Sequence, residues 1–137
     1  LIRAIPLGSG PITAIDIQPY SGDIIAVEAA KSGSLLHIVS INGEKVVSVA
    51  SKRIESVAVT TLRPGMGRDI VITGHDDGDI IMWSEHDLHQ LRAYGESRLV
   101  KTATTCLRIS KDNSFFVSGH RSGAIVYHST KANNPFV

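Results

Sequence analysis

Three stretches of the chain carry one order of apolar runs and turn residues: IIAVEAAKSGSLLHIVS at 24–40, DIVITGHDDGDIIMWS at 69–84 and SFFVSGHRSGAIVYHS at 114–129. Each holds two short apolar runs divided by a glycine turn, which is the pattern of a β-hairpin. The turn glycines Gly33, Gly78 and Gly123 fall 45 residues apart both times (78 − 33 and 123 − 78). Such even spacing marks an internal repeat. Another short strand precedes each hairpin, with apolar residues on alternate positions: Ile15 and Ile17, Val57 and Val59, Leu107 and Ile109. A fourth follows the first two, KVVSVA at 45–50 and HQLRAY at 89–94. Residues 84–94 also admit a helix, because Ser84 can cap and Leu88 and Leu91 lie three apart. The other two units have nothing comparable there, so a strand is expected.

The hairpin runs IIAV, IVIT, FFVS, LLHI, IIMW and IVYH are nearly continuous rather than alternating, which predicts strands buried on both faces. A β-sandwich would leave one face wet. Four-stranded sheets repeating at this period and covered on both sides describe a β-propeller, where each blade packs between two others. The fold expected is all-β, a partial propeller of three four-stranded blades over 1–137, with sequence repeats at about 1–41, 42–88 and 89–130 and a tail at 131–137. LIRAI at 1–5, EKVVSVAS at 44–51 and QLRAY at 90–94 read as the more polar outer strands. Ala14, Ser56 and Cys106 supply small side chains near the crowded axis, and Arg63 to Arg68 form an insertion in the middle unit. Propellers close with roughly four to eight blades, so three form an arc of a larger ring. A chain that starts at Leu1 without Met reads as an excised segment of something longer.

Composition narrows the function. The chain has 137 residues, a formal charge of +1, 42% hydrophobic and 20% charged positions, and 5% aromatics. These are the values of an ordinary globular domain rather than a nucleic-acid platform, which needs clustered Arg or Lys and stacking rings. Cys106 is the single cysteine, so no disulfide, zinc ribbon or redox CxxC forms within the chain, as suits a reducing compartment. No apolar run reaches about 18 residues, and Leu1-Ile2-Arg3 lacks a signal-peptide layout.

The middle unit, VITGHDDGDIIMW, resembles a WD repeat. In that family a Ser or Thr on the second strand, a turn Asp and a third-strand Trp share a hydrogen-bond network with a His from the preceding loop. The matching positions are Thr73, Asp77 and Trp83. The loop before this unit has Lys52-Arg53 in place of the His, and Ser84 follows the Trp. By position, Ser122 and His128 replace the Asp and Trp in the third unit, and Ser32 and Ile38 in the first. A finer resemblance, to the last WD repeats of BEACH-domain proteins of the neurobeachin and beige type, rests on LIRAI at 1–5, SINGEKV at 40–46, DIVITGHDDGDIIMW at 69–83, DLHQLRAY at 87–94 and SGAIV at 122–126, in that order. The insertion near Met66 departs from that family. The resemblance implies a cytoplasmic scaffold ending a very large protein of vesicle and organelle traffic, bound peripherally to endosomal, lysosomal or Golgi-derived membranes. Its implied partners are proteins and the remaining blades of the same chain; no cofactor, nucleic acid or catalysis is implied.

Other constellations have plainer readings. His75, Asp76, Asp77 and Asp79 suggest a metal-assisted hydrolase centred on His75 and Asp77, but the equivalent turns hold Ala30, Lys31, Ser32 and His120, Arg121, Ser122, which cannot bind the same ion. A stand-alone structural β-sandwich is the further alternative. His86 and His89 would share a helix face as zinc ligands, and a strand-turn scatters them. His37 and His128 read as packed or hydrogen-bonded core residues. Gly8-Ser9-Gly10 and Gly65-Met66-Gly67 lead into no helix and read as plain loops, and no GxSxG nucleophile motif is present. The scattered Arg53, Arg63, Arg68, Arg98, Arg108 and Arg121 read as solvated surface. In a propeller the second-strand turns and the loops before first strands share one rim, which would gather Arg53, His75, Asp76, Arg98, His120 and Arg121 into a partner-binding surface.

Overall fold

The computed structural model describes residues 4–42, 45–54, 59–64, 70–94, 100, 102–112 and 114–129. They form eleven strands: β1 (Ile12–Ile17), β2 (Ile24–Ala29), β3 (Ser34–Asn42), β4 (Lys45–Ile54), β5 (Val59–Pro64), β6 (Ile70–His75), β7 (Ile80–Ser84), β8 (Gln90–Tyr94), β9 (Thr104–Ile109), β10 (Phe115–His120) and β11 (Ile125–Ser129). These make three antiparallel meanders, β1-β2-β3-β4, β5-β6-β7-β8 and β9-β10-β11. The stretches beginning at Ile24, Ile70 and Phe115 therefore lie in three separate sheets. The first strands, β1, β5 and β9, pack side by side, and β2 and β6 touch the first strand of the next sheet. The sheets fan from this inner seam as blades.

The turn glycines explain the even spacing. Gly33, Gly78 and Gly123 have φ of +82°, +89° and +91°, a region that side chains with a Cβ rarely enter. Each stands four residues after the last second-strand residue paired across its hairpin, Ala29, Gly74 and Gly119. Residues 84–94 are not helical: β7 ends at Ser84, a turn follows, and β8 begins at Gln90. Leu88 holds this turn at φ +57° with its side chain buried in the core. Burial of that side chain against the first sheet outweighs the local strain.

Burial on both faces holds for the middle blade. Val71 and Trp83 pack with Ile25, Val27, Leu36, Ile38 and Ile54 of the first sheet. Residues of the opposite parity, Ile72 and Ile80, pack with Leu107 and Phe116 of the third. The end blades differ, because each has a neighbour on one side only among the described residues. In the first, Ile15, Ile17 and Val49 are exposed on the outward face. In the third, the register puts Cys106, Val117, Ile125 and Tyr127 on the outward face, with Ile125 79% exposed. The expectation that IVYH is buried on both faces is thus corrected. Cys106 is likewise exposed rather than hidden in a crowded axis. Ser56 and the tail at 131–137 lie outside the described residues, as do 65–68 of the expected insertion and Leu1 to Arg3 of LIRAI. Ala4 and Ile5 are not in a strand.

Candidate functional site: buried relays and a turn rim

The middle blade carries a buried relay. Trp83 Nε1–H can only donate, and it does so to Thr73 Oγ1 at 2.8 Å. The same hydroxyl lies 2.8 Å from His75 Nε2. Thr73 and His75 are fully buried. Asp77 stands apart: it is exposed, and its Oδ1 accepts the backbone N–H of Asp79 at 2.8 Å, fixing the turn. The third blade repeats the relay with different chemistry. Ser118 Oγ meets His120 Nε2 at 2.8 Å and His128 Nε2 at 3.1 Å. His120 Nδ1 faces the Thr102 carbonyl at 3.2 Å. A carbonyl only accepts, so His120 carries its proton on Nδ1, Ser118 donates to its Nε2, and His128 donates to Ser118 in the place of the Trp.

The first blade has a charged version. His37 Nε2 lies 2.9 Å from Glu28 Oε1, and His37 Nδ1 lies 2.6 Å from Ser51 Oγ. The third-strand ring is ten residues from its second-strand partner in the other two blades and nine here. The turn is one residue shorter: it closes with Ala30 N–H to the Gly33 carbonyl, whereas the others close from His75 to Asp79 and from His120 to Ala124. His37, not Ile38, therefore stands where Trp83 does, which corrects the positional assignment. Glu28 takes the place of Thr73, and the segment read as a plain loop cradles it. Gly10 N–H donates to Glu28 Oε2 at 2.8 Å. A Cβ on Gly10 would lie 2.2 Å from the Ala29 carbonyl oxygen. Gly10→Ala is expected to cost about 1–3 kcal/mol by this overpacking, read from urea denaturation midpoints.

Two ionisable groups in these relays are shifted. The Gly10 N–H bond, and then the His37 bond, hold Glu28 below its usual range. Burial pushes His75 below its ordinary value, against the opposing pull of Asp77, Asp79 and Asp76. A buried His with a lowered folded value binds fewer protons than the unfolded chain below about pH 6.5. Stability is therefore expected to be full above that pH and to fall as pH drops through it, with the Glu28 contribution lost at still lower pH, below about 4.5. Thermal melts at neutral and mildly acidic pH check this, and His75→Gln should flatten the first phase.

The expected rim comes together only in part. Arg53, at the end of β4, and Asp76 and Arg121, in hairpin turns, are exposed. Arg53 Nη2 donates to the Ser32 carbonyl and hydroxyl, both at 3.3 Å, and Arg121 N–H ties its turn to the Ala103 carbonyl at 2.9 Å. His75 and His120 are buried, committed to Thr73 and Ser118, so neither offers its ring to a partner. Arg98 lies outside the described residues. The hydrolase pairing is not assembled either, since His75 is sealed in the relay while Asp77 faces solvent. His86 is exposed, and His89 Nδ1 pairs with Asp87 Oδ1 at 2.5 Å.

No protein-family model matches the chain. Among solved structures, similar chains are found in Chaetomium thermophilum Sqt1 bound to the N-terminus of the ribosomal protein L10 (TM-score 0.69, 15% identity, 86% of this chain and 31% of that one) and in the mitotic checkpoint complex (TM-score 0.67, 17% identity, 85% and 32%). Both likenesses concern fold, and both neighbours are WD propellers. These are WD-type propeller blades. Among curated proteins, the human lysosomal-trafficking regulator is 33% identical over 93 residues, 66% of this chain. The chain spans 2% of that relative's length. Within the WD-type pattern, the blades keep the ring-to-second-strand bond and vary its chemistry, as Trp–Thr, His–Ser and His–Glu.

Proposed function

We propose that these blades belong to a BEACH-type protein of vesicle and organelle traffic and serve as a protein-interaction scaffold on endosomal, lysosomal or Golgi-derived membranes, reached from the cytoplasm by peripheral association. The single observation behind this reading is the 33% identity with the lysosomal-trafficking regulator. Two features of the structure support a scaffold role. The outward faces of the end blades are apolar and exposed at Ile15, Ile17, Ile125 and Tyr127, the surfaces on which further blades of the same chain pack. The exposed Arg53, Asp76 and Arg121 then form part of a continuous rim for a protein partner, with Arg98 assigned to the same rim from sequence.

The test is complementation in cells lacking the protein. The version carrying Arg53→Glu and Arg121→Glu is expected to fold with an unchanged melting temperature, lose partners in proximity labelling, and fail to restore organelle size and position. Full restoration by this variant would sink the rim assignment. Normal organelles in the cells lacking the protein would sink the trafficking role.

A further inference from the structure

The first blade holds an arrangement that a purely structural relay does not need. Glu28 is 5% exposed and His37 4% exposed, while Ser51 on the outer strand β4 is open to solvent. The carboxylate can only accept, so His37 carries its proton on Nε2 and donates to Glu28 Oε1 at 2.9 Å. In the neutral ring Nδ1 then presents its lone pair, 2.6 Å from Ser51 Oγ, to take the hydroxyl proton. The far end of the chain of bonds is anchored by Gly10 N–H on Glu28 Oε2 at 2.8 Å. A hydroxyl bonded to an imidazole, which a buried carboxylate orients in turn, is the constellation that activates a nucleophile, whatever fold or chain order carries it. In the middle blade the corresponding ring, Trp83, has no basic nitrogen. In the third, the bond runs inward to a buried Ser118. Only the first blade aims a basic nitrogen at an accessible hydroxyl among the described residues.

Packing of another blade would not hide this serine. Ser51 pairs with His37 across the β3–β4 ladder, as Gln90 pairs with Trp83 across β7–β8. That face of the middle blade is covered by the first blade, yet Gln90 remains exposed. By that correspondence the Ser51 position stays accessible when another blade packs on this face.

We propose that Ser51 is an activated acyl-acceptor serine, with His37 as its general base and Glu28 as the positioning residue, and that its substrates are small activated carboxylic esters or thioesters. Ser51 Oγ attacks the acyl carbon, and its proton passes to His37 Nδ1. The bond from the acyl carbon to the leaving oxygen or sulfur breaks, and His37 returns the proton to the departing alcohol or thiol. The product is O-acyl-Ser51, formed once per chain, with no oxidant or further reactant. The assignment rests on these distances alone and is independent of the trafficking role.

The full chain is treated with a fluorophosphonate, in which the Oγ–P bond forms as P–F breaks, and in parallel with p-nitrophenyl acetate, with intact mass and peptide mapping as readouts. One adduct at Ser51 is expected, absent in Ser51→Ala, which keeps the His37–Glu28 bond and should melt as the parent does. His37→Asn should slow labelling by roughly 100-fold or more. Glu28→Gln should slow labelling at an unchanged melting temperature, and Glu28→Asp should restore part of the rate, which a merely structural role would not do. No adduct at Ser51, a spread over other exposed serines, or a rate that neither His37→Asn nor Glu28→Gln alters would overturn the proposal. Should His37→Asn fail to fold, the comparison of Ser51→Ala with the parent and the Glu28 variants decide it.

Discussion

Trp83→Ala is expected to destabilise the chain by about 3–5 kcal/mol, the range for emptying a buried indole site. The indole is 5% exposed and packs between sheets, against Ile25, Val27, Leu36 and Ile38 of the first blade and Val71 of its own. Its removal leaves a cavity and deprives Thr73 of the N–H donor at 2.8 Å. For a chain of this size the loss corresponds to a drop in melting temperature of very roughly 10–20 °C. Trp83→Phe separates the two effects. It keeps most of the packing and removes only the N–H, while Thr73 retains His75 as partner, so a cost of about 1–2 kcal/mol is expected. Guanidinium titrations of both variants check this; an alanine variant as stable as the parent would show that the first two blades are not packed through this ring.

Phe116→Ala is expected to cost a similar amount, about 3–5 kcal/mol, and to act at a different seam. Phe116 is fully buried. It stacks on His128 at 4.5 Å between centroids and 11° between planes, and meets Tyr94 edge-on at 5.0 Å and 88°. Tyr94 closes the triangle on His128 at 5.6 Å. Aromatic pairs add about 0.5–1.5 kcal/mol beyond their buried area, so the ring links the second and third blades by more than surface burial. Hydrogen exchange distinguishes the two variants. Phe116→Ala should speed exchange mainly in β9–β11, and Trp83→Ala mainly across β2–β4 and β6–β7.

The hairpins were legible because their signals are local. A glycine at positive φ is demanded by the turn itself, so Gly33, Gly78 and Gly123 announce three equivalent turns before any packing is known. Apolar runs flanked by turn residues placed β2, β3, β6, β7, β10 and β11 by the same logic. The relays were harder to read. Thr73, Asp77 and Trp83 were grouped together by resemblance; Thr73 and Trp83 are hydrogen-bonded, whereas Asp77 serves its own turn. His37 was set one position out of place because equal glycine spacing conceals a turn that is one residue shorter after the glycine, where Gly33 leads directly into Ser34 while Gly78 and Gly123 are two residues from Ile80 and Ile125. Counting forward from the glycine gives the wrong parity on the third strand, and parity decides which face of a strand a side chain takes. A clue lay in the composition of the strands: a Glu at 28 and a His at 37 amid apolar neighbours have to find each other if both are buried.

The rim and the Ser51 site show the other side of this division. Sequence alone established an all-β chain of repeated hairpins with glycine turns, since these depend on residues a few positions apart. Which faces are covered, that His75 and His120 turn inward, and that Gly10, Glu28, His37 and Ser51 meet were decided by the tertiary structure. Those outcomes depend on the register between strands and on which blade lies alongside, and neither is written into any short stretch of the chain.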